Sequence, residues 1–177
     1  MDLEFFEQLA LPLFDSLYNL AHWLTGDRME AEDLVQETYT KALRGFKSFQ
    51  EGTNLRAWMI RILRNTFLTS RTGLKVQNTV LLEDEPGAGD LAAHEITPES
   101  LLLRLESSQS VMDALGELPV PYREMILLSD IEDLSYKEIA QVLSVPIGTV
   151  MSRLSRGRRM LRQALMANSQ RRSTHAM

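Results

Sequence analysis

Between Val145 and Leu165 the chain reads VPIGTVMSRLSRGRRMLRQAL, with five arginines, three hydroxyl side chains and no acid, in a protein of formal charge −5. At about 100° per residue, Thr149, Ser152, Arg156, Arg159 and Gln163 fall on one side of a helix, with Arg153 and Ser155 at its edges. The chemistry open to such a face is recognition of a polyanion. Small hydroxyl residues let the backbone approach a groove, a helix N-terminus favours phosphate, and arginine bonds bidentately to guanine. Taken alone, the same helix reads equally as a solvated basic face.

The elements that must position this face narrow the choice. Val150, Leu154, Gly157, Leu161 and Leu165 form the opposite stripe, which has to pack on preceding helices, Gly157 permitting close approach. Upstream, SYKE (Ser135 to Glu138) is a capping box opening a helix with Ile139, Ala140, Val142 and Leu143 on its apolar side. That helix stops at Ser144-Val145, and Pro146 suits the first position of the next one. Two helices across a tight turn, the second strongly basic, make a helix-turn-helix, which favours reading DNA.

A second patch has different chemistry. FQEGTNLRAWMIRILRN (49–65) is a polar, glycine-containing loop followed by a helix with Arg56, Trp58, Arg61 and Asn65. Aromatic rings and arginines beside a roomy loop suit unstacked single-strand bases, although Trp58, with Leu55 and Ile62 nearby, also reads as core. A third group, Asp33 and Glu37, stands four apart on one helix face. No His, Cys or glycine-rich phosphate loop accompanies it, so a solvated or partner-facing edge is expected rather than a catalytic or metal site.

Helical periodicity dominates the 177 residues, with almost no strand-like alternation. The spacing of Phe6, Leu9, Leu13, Leu17, Leu20 and Leu24 predicts one helix over 3–24. Gly26 breaks it, and Asp27 is a natural N-cap for a second helix to about Leu43, with Ala31, Leu34, Val35, Thr38 and Leu43 near one side. The stretch 73–98, with glycines, two prolines and five acids against one lysine, reads as a flexible linker. Helicity resumes at Glu99 and runs to about Gly116, a short helix follows over 122–131, and 168–177 reads as a disordered tail. The fold class is therefore all-α, as two small helical domains, 1–72 and 99–167, joined by an acidic linker.

Composition excludes several classes. The absence of cysteine removes disulfides and thiolate metal sites, and His22, His94 and His175 are too scattered for a ligand cluster. No cofactor is expected. The acidic, aromatic N-terminus is no signal peptide, and no apolar run is long enough to span a bilayer, so a soluble cytoplasmic protein is expected. The net charge conceals a division. Residues 1–37 carry nine acids against Arg28 alone, whereas 54–72 carry four arginines and 146–177 seven, both without an acid. Local fields decide nucleic-acid binding, and two basic patches are present.

Three stretches in this order, AEDLVQETYTKAL (31–43), LRAWMIRILRN (55–65) and LSYKEIAQVLSVPIGTVMSRLSRGRRML (134–161), resemble a bacterial RNA polymerase sigma factor of the extracytoplasmic-function group. The resemblance covers about residues 5–165 and is most specific in P-x-G-T-V-x-S-R-L. It implies a sigma region 2-like domain, a region 4-like domain, and no enzymatic activity of the chain itself. By position, Asp33, Leu34, Gln36 and Glu37 would face core polymerase. Gln50, Thr53, Asn54, Arg56, Trp58, Arg61 and Asn65 would meet the single-stranded −10 element. Thr149, Ser152, Arg153, Ser155, Arg156 and Arg159 would meet the double-stranded −35 element. It also implies an anti-sigma factor as a partner, and a linker that threads through polymerase.

The chain departs from the pattern at Met151, where a base is common, at Ile60, where an aromatic is common, and at Ser144, a turn position often held by glycine. Other functions explain less. A sigma-like mimic that sequesters an anti-sigma factor without reading DNA has no need of Arg153, Arg156 and Arg159 among spaced serines. A stand-alone helix-turn-helix repressor leaves the 31–43 helix and the Trp58 segment without a role.

Overall fold

A computed structural model describes residues 3–50, 52–72 and 108–175. The linker expected over 73–98 and the start of the helix expected from Glu99 lie outside the described residues. The chain divides into two compact units. All regular elements among the described residues are helical.

The first unit begins with α1 (Leu3–Ala10), a single 3-10 turn (Leu11–Leu13) and α2 (Phe14–Thr25). The continuous helix expected over 3–24 is thus interrupted, because Pro12 has no N–H to give and its ring crowds the preceding turn. The interruption redirects the chain's hydrogen bonds. The Phe14 N–H turns to the Leu11 carbonyl, while the Ala10 carbonyl accepts from the Tyr39 hydroxyl at 2.7 Å. Gly26, left-handed at φ 71°, ends α2, and the Asp27 carboxylate accepts from the Glu30 N–H at 2.9 Å to start α3 (Arg28–Gly45).

Helix α3 buries Ala31, Leu34, Val35, Thr38 and Ala42 between α2 and α4 (Leu55–Thr72). Leu43, expected on that side, is 43% exposed. Steps of three and four residues from Ala31 reach Ala42, and Leu43 lies a further 100° round the helix. Helix α4 buries Met59, Ile60, Leu63, Thr66 and Phe67 in return.

Beyond residue 107 the chain forms α5 (Ser108–Glu117), α6 (Val120–Ile126), a π turn (Leu127–Ile131), α7 (Tyr136–Leu143) and α8 (Ile147–His175). Arg123 closes the end of α5. Its Nε donates to the Leu115 carbonyl at 2.8 Å and its Nη2 to those of Gly116 and Leu118 at 3.0 and 3.1 Å. A cation there also opposes the negative end of the helix dipole. Both α5 and α6 pack on α8. The disordered tail expected from residue 168 is instead helical to His175. Neither glycine nor proline occurs between Arg158 and His175, so nothing in the sequence breaks the helix.

Tyr39 supplies a test of the first unit. Burial, and then the negative charge of Asp15, push its hydroxyl up to about 12. Its folded value lies above its unfolded value near 10, so its contribution is complete below about pH 10 and is lost as pH rises toward 12. Tyr39→Phe should cost about 1 kcal/mol at neutral pH through the lost bond to Ala10. It should also flatten the fall in stability between pH 10 and 12, which urea melts across that range will measure.

Candidate nucleic-acid interface

The helix-turn-helix is built from local signals. The Ser135 N–H donates to Glu138 Oε2 at 2.9 Å and the Glu138 N–H returns to Ser135 Oγ at 3.3 Å, closing the capping box at the head of α7. Ile139, Val142 and Leu143 are buried. Ser144 turns the chain with φ 54°, the left-handed conformation that glycine adopts without a Cβ penalty. Pro146 sits one residue earlier than expected, as the cap. Its carbonyl accepts from the Val150 N–H at 3.2 Å.

The faces of α8 separate as the helical period requires. Val150, Leu154, Gly157 and Leu165 are buried and Leu161 is half-buried. At Gly157 a β-carbon would lie 3.1 Å from the Tyr122 carbonyl oxygen and 3.4 Å from Ile126 Cδ1, so α8 and α6 are in close contact there. On the other side Ser152, Ser155 and Arg159 are exposed, and Thr149, Arg153 and Arg156 are half-buried. The structure thus gathers all six candidate residues onto one continuous side. The Nε of Arg153 is enclosed without a hydrogen-bond partner.

In the first unit the loop before α4 is held by its own polar groups. Thr53 Oγ1 donates to the Gln50 carbonyl at 2.7 Å, and Gly52 takes φ 86°. Asn54 caps α4, its Oδ1 accepting from the Ala57 N–H at 3.1 Å. Trp58 packs on Phe49, ring centroids 5.3 Å apart, and its ring lies over Gly45. The indole is half-buried. Trp58, Arg61 and Asn65 share a face with the Asn54 cap, at steps of four, three and four residues. Arg56 does not. It lies roughly half a turn away, on the side that buries Met59, Ile60 and Leu63, with its Nε enclosed.

The acidic edge of α3 borders a groove of about 290 Å³ against α4, lined in part by Asp33, Leu34, Glu37 and Phe67. Asp33, Gln36 and Glu37 are exposed, whereas Leu34 is buried and lines the groove. Lys41 pairs with Glu37 at 2.7 Å and also donates to Thr66 Oγ1 at 3.2 Å. Arg71 pairs with Glu30 at 3.1 Å and stacks over Phe67, 5.4 Å from its centroid. Among the described residues no group of His, Asp or Glu could hold a metal ion, and no helix is long and apolar enough to cross a membrane.

Comparison with known proteins agrees with both units. Residues 13–75 match sigma-70 region 2 and residues 108–161 match sigma-70 region 4. The ECF RNA polymerase sigma factor SigW of Bacillus subtilis is 32% identical over 85% of the chain and 83% of its own length. The chain is an extracytoplasmic-function sigma factor of RNA polymerase. The sigma factor SigE of Mycolicibacterium smegmatis is 36% identical over 92% of this chain, which spans 65% of that relative's length. A solved sigma factor, RpoE of Bartonella quintana in complex with the anti-sigma factor NepR, is 30% identical with a TM-score of 0.69, covering 93% of this chain and 98% of that one.

One contact of this sigma factor does not follow from its sequence motifs. Arg158, counted among the five arginines of the basic helix, points to the packed side. It holds the Asp130 carboxylate by two bonds, Nη2 to Oδ1 at 2.6 Å and Nε to Oδ2 at 3.2 Å. The signal was available in the helical period, because Arg158 follows Gly157 and lies half a turn from Thr149.

Two substitutions test the turn and the contact. Ser144→Gly removes a left-handed non-glycine residue and should raise stability by up to about 1 kcal/mol. Gly157→Val drives branched carbons into Tyr122 and Ile126 and should cost about 1–3 kcal/mol. Thermal and urea unfolding of the intact protein measure both.

Proposed function

We propose that the protein works in the bacterial cytoplasm as the promoter-reading subunit of RNA polymerase. Its first unit binds core enzyme through the acidic edge of α3 at Asp33, Gln36 and Glu37. Unstacked −10 bases are received beside the loop at Gln50, Thr53 and Asn54 and the face of Trp58, Arg61 and Asn65. Helix α8 reads the −35 duplex through Thr149, Ser152, Arg153, Ser155, Arg156 and Arg159. The observation that carries this reading is the one-sided distribution of hydroxyl and arginine side chains on α8, opposite a buried apolar stripe. Short side chains admit the groove and arginines supply bidentate and phosphate contacts.

Arg56 is assigned a supporting role behind the −10 face, since it lies on the packed side of α4. The chemistry of nucleotide addition belongs to the polymerase, and the chain contributes recognition and strand separation. An anti-sigma factor is proposed as its regulator, by likeness to the Bartonella quintana complex.

Reconstituted transcription decides the matter. Core polymerase with this protein should initiate at a cognate promoter on which core alone is inert. Failure to assemble with core polymerase would instead support a mimic that only sequesters an anti-sigma factor. Within the holoenzyme, Arg156→Ala should weaken −35 binding and reduce the slope of log affinity against log salt by about 1. Equal slopes for variant and wild type would remove Arg156 from the phosphate backbone.

A further inference from the structure

The side of α8 facing away from the proposed DNA surface carries a polar contact that its apolar stripe does not require. Asp130 stands in the π turn Leu127–Ile131, where the Glu132 N–H reaches back to the Leu127 carbonyl at 2.9 Å. Such a turn accommodates one more residue than a regular helical turn and changes the direction of the side chains that follow. The Asp130 side chain is 5% exposed, and its carboxylate is gripped by the planar fork of Arg158. A fork bound at two points fixes orientation as well as distance. Hydrogen bonding to Asp130 raises the Arg158 pKa further, and Tyr136, at the head of α7, adds a smaller contribution in the same direction. Arg158 therefore ties the second helix of the helix-turn-helix to the segment that precedes the motif.

We infer that Asp130 and Arg158 are specificity-determining positioning residues, which set the rotation of α8 about its own axis and so aim Thr149, Ser152 and Arg156. This rests on the proposal that α8 reads duplex DNA. Apolar contacts such as those of the buried Leu154 carry no hydrogen-bond geometry to fix the angle of the helix about its axis, whereas the two-point fork of Arg158 does. Gly157 brings the axes together, and the fork one residue later removes the remaining rotation. A rotation of one residue's worth, 100°, would replace Ser152 and Arg156 with Met151 and Ser155 on the reading face.

The competing roles for Arg158 predict different signs. As a phosphate contact, its loss would lower affinity for all duplexes alike and reduce the salt slope by about 1. As bulk charge, Asp130→Asn would remove a negative group and raise affinity for every duplex. As a positioning pair, either change would lower discrimination between sequences and leave the slope unaltered.

The experiment uses holoenzyme reconstituted from core polymerase and the full chain, presented with a duplex library randomised across the −35 position. Wild type, Asp130→Asn, Arg158→Lys and Arg156→Ala are compared, with thermal melts confirming that each is folded at the assay temperature. Arg158→Lys keeps the charge and loses the fork, so it separates geometry from electrostatics even if Asp130→Asn folds poorly. The expected result is a fall of roughly fivefold or more in the preference for the selected motif over single-base variants in both pair mutants. Their salt slopes should match wild type, whereas that of Arg156→Ala should fall. Arg158→Lys with wild-type selectivity, or with a reduced salt slope, overturns the inference. A wild-type holoenzyme that enriches no motif overturns the DNA reading of α8, and this inference with it.

Discussion

At Gly157 a β-carbon would meet the Tyr122 carbonyl oxygen at 3.1 Å, so the axis of α8 runs closer to α6 than a larger residue permits. That approach determines how the rest of α8 is used. With one side pressed against α6 and α5, Val150, Leu154 and Leu165 are removed from water. The residues left facing outward are those half a turn away, and the sequence places hydroxyls and arginines there. The surface that carries the hydroxyls and arginines is thus a consequence of where the apolar stripe is buried. Tight packing holds the axis of α8 in place, since interiors at crystalline density resist small displacements.

The first unit solves a related problem with different means. Helix α3 offers an apolar side to α2 and α4 and an acidic side outward, and the two are separated by only a few residues of sequence. The polar groups at the boundary are tied down individually. Thr38 returns its hydroxyl to the Leu34 carbonyl at 2.7 Å, Lys41 joins Glu37 to Thr66, and Arg71 bridges Glu30 while covering Phe67. Exposed ion pairs of this kind add little stability. Their effect is to order long side chains beside a groove whose lining includes Leu34, so that the acidic edge is presented in a defined arrangement. The loop at 50–54 is ordered in the same economical way, by Thr53 on the Gln50 carbonyl and Asn54 on the Ala57 N–H.

What could be read from sequence was local. The Asp27 cap, the SYKE capping box and the unusual turn at Ser144 all depend on residues within a few positions of each other. Both helical units and the composition of the α8 face followed from the same period. What could not be read depended on partners distant in sequence or on competition between signals. Leucine periodicity suggested a continuous helix over 3–24, but the backbone donor missing at Pro12 outweighed it. Trp58 was ambiguous because an indole serves equally as core and as a stacking platform, and its packing on Phe49 and over Gly45 is fixed by a turn no periodicity describes. Arg56 stands beside Trp58 in the chain, whereas helical phase places them on different sides. The role of Arg158 required knowing that Asp130, 28 residues earlier, stands opposite it.

That last pair changes the electrostatic reading of the helix. No acid occurs in the 29 residues of α8, so its field is set by its arginines and by whatever neighbouring elements oppose them. Asp130 neutralises Arg158 on the packed side, whereas Arg159, Arg162 and Arg171 are exposed. The cancellation is directional. A helix with charge on all sides would attract a phosphate backbone in any orientation, and non-specific binding would compete with the productive one. Cancelling the charge that faces inward lowers the positive field on the packed side. The overall charge of −5 does not cancel such a local field, because exposed charges further away than the Debye length, about 8 Å, are largely screened.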